Sequence, residues 1–303
     1  RLQQGELAGQ TLDQLELTLR GSLERLQSQW QLQALGADIR GQGQARLATP
    51  GQRQASLDRL DIQLRPWEQW RLDTPLRWTE QGAAWRVAGG CLRSAESKLC
   101  LGAKQQGQVR NLELSLGDYS LQRLAQWAGQ APSLVDGRLS VEAKATQAAD
   151  GSSSAQLNWT TGPVLLGEVP DTNIPGLRWA PGEGSLSWSP QQARMRWEWP
   201  LASADGGISA QAIVNNGNDI ETAQLKLQLS DLGRLRGLLP EVQQLQGQLA
   251  VDIQAQGQLS SPTYEGQLQL QQASAQLITP GITLDPLKLR LDGNQDQLRL
   301  QGQ

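Results

Sequence analysis

Between Gly247 and Leu277 the chain reads GQLAVDIQAQGQLSSPTYEGQLQLQQASAQL, with apolar residues at every second position. Leu249, Val251, Ile253, Ala255 and Leu259 share one parity, while Asp252, Gln254, Gln256 and Gln258 fill the other. After a turn at Ser261 and Pro262, Leu268 and Leu270 alternate with Gln267, Gln269 and Gln271. Successive side chains of a strand point to opposite faces, so a period of two marks a strand with one dry and one wet face. The pattern fills nearly the whole chain. Whatever fold it adopts must therefore cover, or use, a very long dry face.

The other runs repeat the arrangement. LELTLR places Leu15, Leu17 and Leu19 on one face, and WQLQA does the same with Trp30, Leu32 and Ala34. DIRGQGQARLA carries Ile39, Ala45 and Leu47 on one parity, and LDIQLRP gives Leu60, Ile62 and Leu64. WRLDTPLRW gives Trp70, Leu72, Leu76 and Trp78, with Pro75 on the opposite parity. NLELSL, RLSVEAKA, AQLNW and SLSW continue with Leu112, Leu114, Leu139, Val141, Leu157, Trp159, Leu186 and Trp188. In ARMRWEWP, Met195, Trp197 and Trp199 face away from Arg194, Arg196 and Glu198. AQLKLQL adds Leu225, Leu227 and Leu229, and the last hairpin adds Leu287, Leu289 and Leu291. Asn216-Gly217 between two such runs is a hairpin signal. Parallel pairing would need long crossovers, so the short connections predict an antiparallel meander.

Two stretches change to a helical period, predicting short helices over 118–128 (DYSLQRLAQWA) and 231–239 (DLGRLRGLL). Each follows a Leu-rich strand and leads into a similar one. Gly137, Leu139 and Val141 correspond to Gly247, Leu249 and Val251, a weak internal repeat of 112–145 with 225–257. Two short helices cannot cover about seventeen strands, and open sheets seldom exceed about ten without curling or splitting. Two solutions remain open on the residues alone. Either two sheets cover each other as a sandwich, or one long sheet curls into a U-shaped gutter that keeps its inner face apolar.

Composition removes several function classes. A net charge of -3 leaves no basic stripe for nucleic acid. The chain has no His, which excludes His-based triads, acids and metal ligands. Two Cys cannot build a structural zinc site alone. Asp and Glu fall mostly on the wet parity or in turns, so neither enzyme chemistry, a cofactor nor a metal is expected. No run approaches the roughly 20 apolar residues that cross a bilayer. The chain opens on Arg1 and stops at Gln303 inside an alternating run. It is therefore expected to be an excerpt of a longer protein, one continuous segment over 1–303.

The cysteines lie in GGCLRSAESKLCLG. If Ala95 and Glu96 centre a hairpin turn, Cys91 faces Cys100 at a non-hydrogen-bonded site, where Cα atoms approach to about 4.5 Å, within disulfide range. Parity raises an objection, because Cys91 goes with Trp85 and Val87 whereas Cys100 opposes Leu99 and Leu101. A bulge at Gly89 and Gly90 answers it by flipping the strand, placing Leu92, Leu99 and Leu101 inside and both Cys outside. Such a disulfide implies an oxidising compartment such as the periplasm; two unlinked thiols are the alternative. The Trp pairs could stack on sugars or single-stranded nucleic acid. Yet Trp70, Trp78, Trp197 and Trp199 fall on the Leu parity and read as wall residues, with Trp67 alone on the other parity as a candidate edge cover.

The run from Asp231 resembles the TamB family of translocation and assembly module proteins. It carries a short Leu-rich helix ending near Pro240, then Leu245, Gly247 and Leu249, then Gly257, Leu259 and Pro262. Gly266, Leu268, Leu270, Leu277, Pro280 and Gly281 follow in that family's order. The Cys91/Cys100 hairpin is similar to a paired-Cys element of the same family. The resemblance implies an all-β fold, a long antiparallel meander curled into a U-shaped, taco-like gutter with an apolar concave face, as in AsmA-like and bridge-type lipid-transfer proteins. It implies a Gram-negative parent anchored in the inner membrane, with this segment in the periplasm. It also implies docking to the outer-membrane barrel TamA through a part outside this segment. The expected ligands are phospholipid acyl chains, shielded between the two membranes by the alternating Leu, Ile, Val, Met and Trp residues named above. The alternative expectation is a scaffold for outer-membrane β-proteins such as autotransporters, accepting a client strand at a sheet edge. A closed sandwich with a purely structural role is the third.

Overall fold

In the computed structural model of the chain, the described residues are 2–7, 10–34, 36–64, 68–129, 135–167, 177–203, 206–239, 241–277, 281, 283–294 and 297–302. Trp67 lies outside them. Strand dominates, as the alternation predicts, and the chain divides into two compact units. The first holds residues Arg1–Tyr119 and Val141–Ser153, the second Ser120–Ser140 and Ser154–Gln303.

The first unit is an antiparallel meander of β1 (Leu2–Leu7), β2 (Gln10–Ser22), β3 (Arg25–Ala34), β4 (Ala37–Arg46), β5 (Gln54–Leu64), β6 (Glu68–Thr74), β7 (Leu76–Gln81), β8 (Ala84–Ser94), β9 (Ser97–Gln106) and β10 (Val109–Ser120). Pro75 separates β6 from β7, because proline has no N–H to give the ladder. Both halves still lie between the same neighbours, β5 and β8.

The β8–β9 hairpin resolves the parity of its cysteines. Ser94 pairs with Ser97 around a turn whose Ala95 adopts φ 50°, and Cys91 pairs with Cys100. Their Cα atoms are 4.0 Å apart and a disulfide joins them. The register shifts between Val87 and Gly90, where Gly89 takes φ 82°. That is the left-handed region glycine enters without penalty, and it supplies the bulge that turns both sulfurs toward one face. Leu92 then pairs with Leu99, and Leu99 with Leu116, while Cys100 sits opposite Ser115.

The helix expected over 118–128 is α1 (Leu121–Trp127), entered from Ser120. The second helical stretch is a 3₁₀ helix, Leu232–Leu238, whose N-cap residue Asp231 accepts a hydrogen bond from the Gly233 amide at 2.9 Å.

In the second unit, β13 (Ser153–Thr161), β16 (Gly182–Trp188), β17 (Gln192–Pro200), β18 (Gly206–Asn215), β19 (Asp219–Leu229), β20 (Val242–Gln258), β21 (Ser261–Leu277), β22 (Thr283–Asn294) and β23 (Gln297–Gly302) pair antiparallel in that order. A separate three-stranded sheet contains β11 (Val135–Asp136), β14 (Val164–Leu166) and β15 (Leu177–Trp179). The remaining strand, β12 (Arg138–Gln147), crosses the division between the units.

Candidate functional site

Register converts the sequence alternation into rows. Directly opposed side chains on one face stand about 4.5–5.5 Å apart, so matched parities on successive strands give a continuous stripe. In the first unit Leu15, Leu32, Ile39, Ile62 and Trp70 form one such row from β2 to β6. Another runs Leu26, Ala45, Ala55, Trp78, Val87, Ala103 and Leu112. Leu17, Trp30, Gly41 and Leu60 form a third. Leu64 pairs with Ala37, Leu76 with Leu57, Leu114 with Leu101, and Leu19 with Ser28.

The wet face has rows too. Glu16, Gln31, Arg40, Asp61, Arg71, Arg93 and Lys98 succeed one another across it. A recess of about 580 Å³ opens on this face beside Gln31, Arg40, Asp61 and Arg71. Its charges answer one another: Arg40 meets Asp38 at 2.9 Å, while Arg59 and Arg71 meet Asp61 at 2.7 and 3.4 Å. Further along, the Arg93 guanidinium hydrogen-bonds Asp73 and holds its carboxyl below the ordinary value. Deeper in the unit, Tyr119 donates to Glu68 at 3.1 Å and stacks on Trp70, a buried structural knot.

The second unit carries a stripe of the same length. Trp199, Ile208, Leu227, Val251, Leu268, Leu291 and Leu300 stand in register through β17 to β23. On one side of it lies the row Leu229, Leu249, Leu270 and Leu289. On the other lie Trp159, Gly184, Trp197, Ala210, Leu225 and Ile253, and then Leu157, Leu186, Met195 and Ala212. Leu139 and Val141 stand half-buried on β12. Leu287 pairs with Ala273, its side chain lying outside the described residues.

Exposure varies along these rows. Val164, Leu177, Trp179, Leu201, Leu229 and Leu232 form a buried cluster, with Trp199, Ile208, Leu227, Leu249 and Leu270 packed against it. The small sheet and the 3₁₀ helix therefore cover one end of the apolar face. Four residues along the strand the cover is gone: Leu229 is 5 % exposed, whereas Leu225 and Ile253 are 38 % and 41 % exposed. Leu186, Trp188 and Tyr264 are exposed further out. Burying a Leu side chain is worth about 1.5–3 kcal/mol, and contiguous exposed apolar surface marks an interaction site.

The cover was not foreseen from the sequence. Its strands β14 and β15 have three residues each, too few to show any period, and its partners are distant in the chain. Trp179 anchors it, stacking on Trp199 at 4.7 Å, with Trp197 at 6.0 Å from Trp199. The buried indole N–H groups of Trp179 and Trp199 have no hydrogen-bond partner. Among the described residues no helix is long and apolar enough to cross a membrane, and no three Cys, Asp or Glu side chains gather as a metal site.

The family model described as TamB, N-terminal domain, matches residues 1–270. No curated protein and no solved structure gives a match.

Proposed function

The chain belongs to the TamB family, and on that premise we propose that its apolar face is the inner wall of a U-shaped, taco-like gutter that shields phospholipid acyl chains between the inner and outer membranes. The family is a non-enzymatic transport and assembly component of the Gram-negative envelope. The observation that supports the lipid reading is the seven-strand row from Trp199 to Leu300, together with the open neighbours Leu225 and Ile253. A surface of this kind offers burial without directional contacts. Each CH₂ laid on it is worth about 0.8 kcal/mol, so a chain is held firmly, with little selection for its head group, and slides along the stripe. Register shifts within β18–β19, β19–β20 and β20–β21 support the curl, because bulges bend and twist the strands that carry them. In this reading the segment is periplasmic, its parent is anchored in the inner membrane, and TamA meets the parent elsewhere.

Native mass spectrometry with lipid extraction tests the proposal. Phospholipid should co-purify with the wild-type chain and be lost in Leu225→Asp and Ile253→Asp variants that keep their circular dichroism. These positions are preferable to Leu227, which packs on the buried cluster and would report folding instead. A folded wild type that carries no lipid and takes none from phosphatidylethanolamine vesicles would sink the reading. Binding of an outer-membrane β-strand peptide that survives both charges would favour the edge-strand scaffold instead.

A further inference from the structure

Two of the largest side chains on the apolar face lie over glycines of the neighbouring strand. Trp30 of β3 faces Gly41 of β4, and Trp159 of β13 faces Gly184 of β16. A Cβ placed on Gly41 would stand 2.6 Å from Trp30 Nε1, and one on Gly184 would stand 2.7 Å from Trp159 Nε1, with ring carbons nearer still. Real Cβ atoms essentially never come within 3.0 Å of such neighbours, so each indole occupies the space a side chain would need. β16 repeats the device two residues earlier, where a Cβ on Gly182 would stand 3.0 Å from Trp199 Cγ. In GEGSLSW the two glycines therefore stand against Trp199 and Trp159, with Trp197 on the far side of Gly184.

We infer that Gly41 in the first unit and Gly184 in the second each set the depth of the apolar trough of their own unit, by letting Trp30 and Trp159 lie along its floor where they would otherwise stand into it. Adjacent strands are about 4.8 Å apart, so an indole leaning sideways reaches over the next strand's Cα only if that residue has no Cβ. With a methyl there the ring must turn away from the sheet, into the space the proposed function gives to an acyl chain. The inference rests on that reading only for the identity of the occupant. Both pairs sit in open stretches of the face, in the rows of Leu17 and Leu225, both of them exposed.

The test is a mutant cycle on the full chain, read with N-phenyl-1-naphthylamine, a small apolar dye that reports open apolar surface independently of lipid. Gly184→Ala should weaken dye binding about ten-fold, the scale of one or two lost CH₂ contacts, without changing the circular dichroism. Adding Trp159→Leu should restore it, because the obstructing ring is gone. Wild-type dye affinity in Gly184→Ala overturns the inference, as does a folded double variant that stays weak. If Gly184→Ala alone does not fold, the double variant decides: it must fold and bind as Trp159→Leu does, or the inference fails. A wild type that takes the dye but no phospholipid overturns the transport reading and leaves the trough depth standing.

Discussion

Trp179 and Trp199 stack with ring centroids 4.7 Å apart, and this contact fastens the three-stranded sheet to the long meander of the second unit. Trp179 is nearly fully buried, yet its indole N–H has no partner. An unpaired buried donor costs about 1–3 kcal/mol, whereas the ring's area and stacking are favourable. Phenylalanine keeps the second and discards the first. Trp179→Phe is therefore expected to unfold at the same or slightly higher denaturant concentration, while Trp179→Ala should lose about 3–5 kcal/mol. Urea titration followed by circular dichroism separates the two.

Leu225 and Leu227 differ in the same physical way. Both point to the apolar face, but only Leu227 packs against the buried cluster, while Leu225 stays open. Leu227→Ala should cost about 2 kcal/mol or more of stability. Leu225→Ala should cost well under about 1 kcal/mol and lower bound lipid instead. Denaturation midpoints and extracted lipid per chain, measured on the same preparations, should move in opposite order.

The Cys91–Cys100 disulfide closes a short loop within a hairpin already held by its ladder. Loop-closure entropy for such a length amounts to about 2–3 kcal/mol. Replacing both cysteines by serine should cost no more than that and should raise amide exchange mainly in β8 and β9. A global collapse of protection in the first unit would show that the hairpin nucleates more than itself.

Asp73 is held below its ordinary pKa chiefly by the hydrogen bond from Arg93, with Lys98 adding charge. The unfolded chain regains its proton at higher pH than the folded one. The contribution is thus fully present above about pH 4, the ordinary aspartate range, and fades as pH falls through the lower folded value. Asp73→Asn should remove that acid-side slope. The comparison is made on the wild-type and variant unfolding midpoints between pH 5 and pH 2.

Much of the fold was legible because alternation and register say the same thing. Leu227, Val251 and Leu268 announce their face in sequence, and the pairing of β19, β20 and β21 puts them side by side. The Cys91–Cys100 pairing follows from counting back from a turn at Ala95 and Glu96, with unlinked thiols as the alternative, and parity then calls for the bulge at Gly89 and Gly90. The second helix was read correctly as helical but not as 3₁₀. Leu232, Leu235 and Leu238 recur every third residue, the 3₁₀ period, and Gly233 and Gly237 weaken an α-helix there. The cover built on Val164, Leu177 and Trp179 was invisible. Three-residue strands carry no period, and nothing local in PVLLG or GLRWA says that they meet. The rows were thus readable as a face, while the point where protein stops covering that face was not.

The bulge between Val87 and Gly90 shows what one extra residue does to a strand of this kind: it reverses the faces beyond it. A glutamine on the wet side exchanges for serine, lysine or aspartate at small cost, and a leucine on the dry side for isoleucine or valine. One residue added inside a strand, in contrast, sends every later leucine of that strand to water unless a second irregularity cancels it. Drift in such a protein should therefore appear as abundant replacement within strands of fixed length. Insertions and deletions should be confined to turns, or should arrive in strands paired with a new glycine bulge.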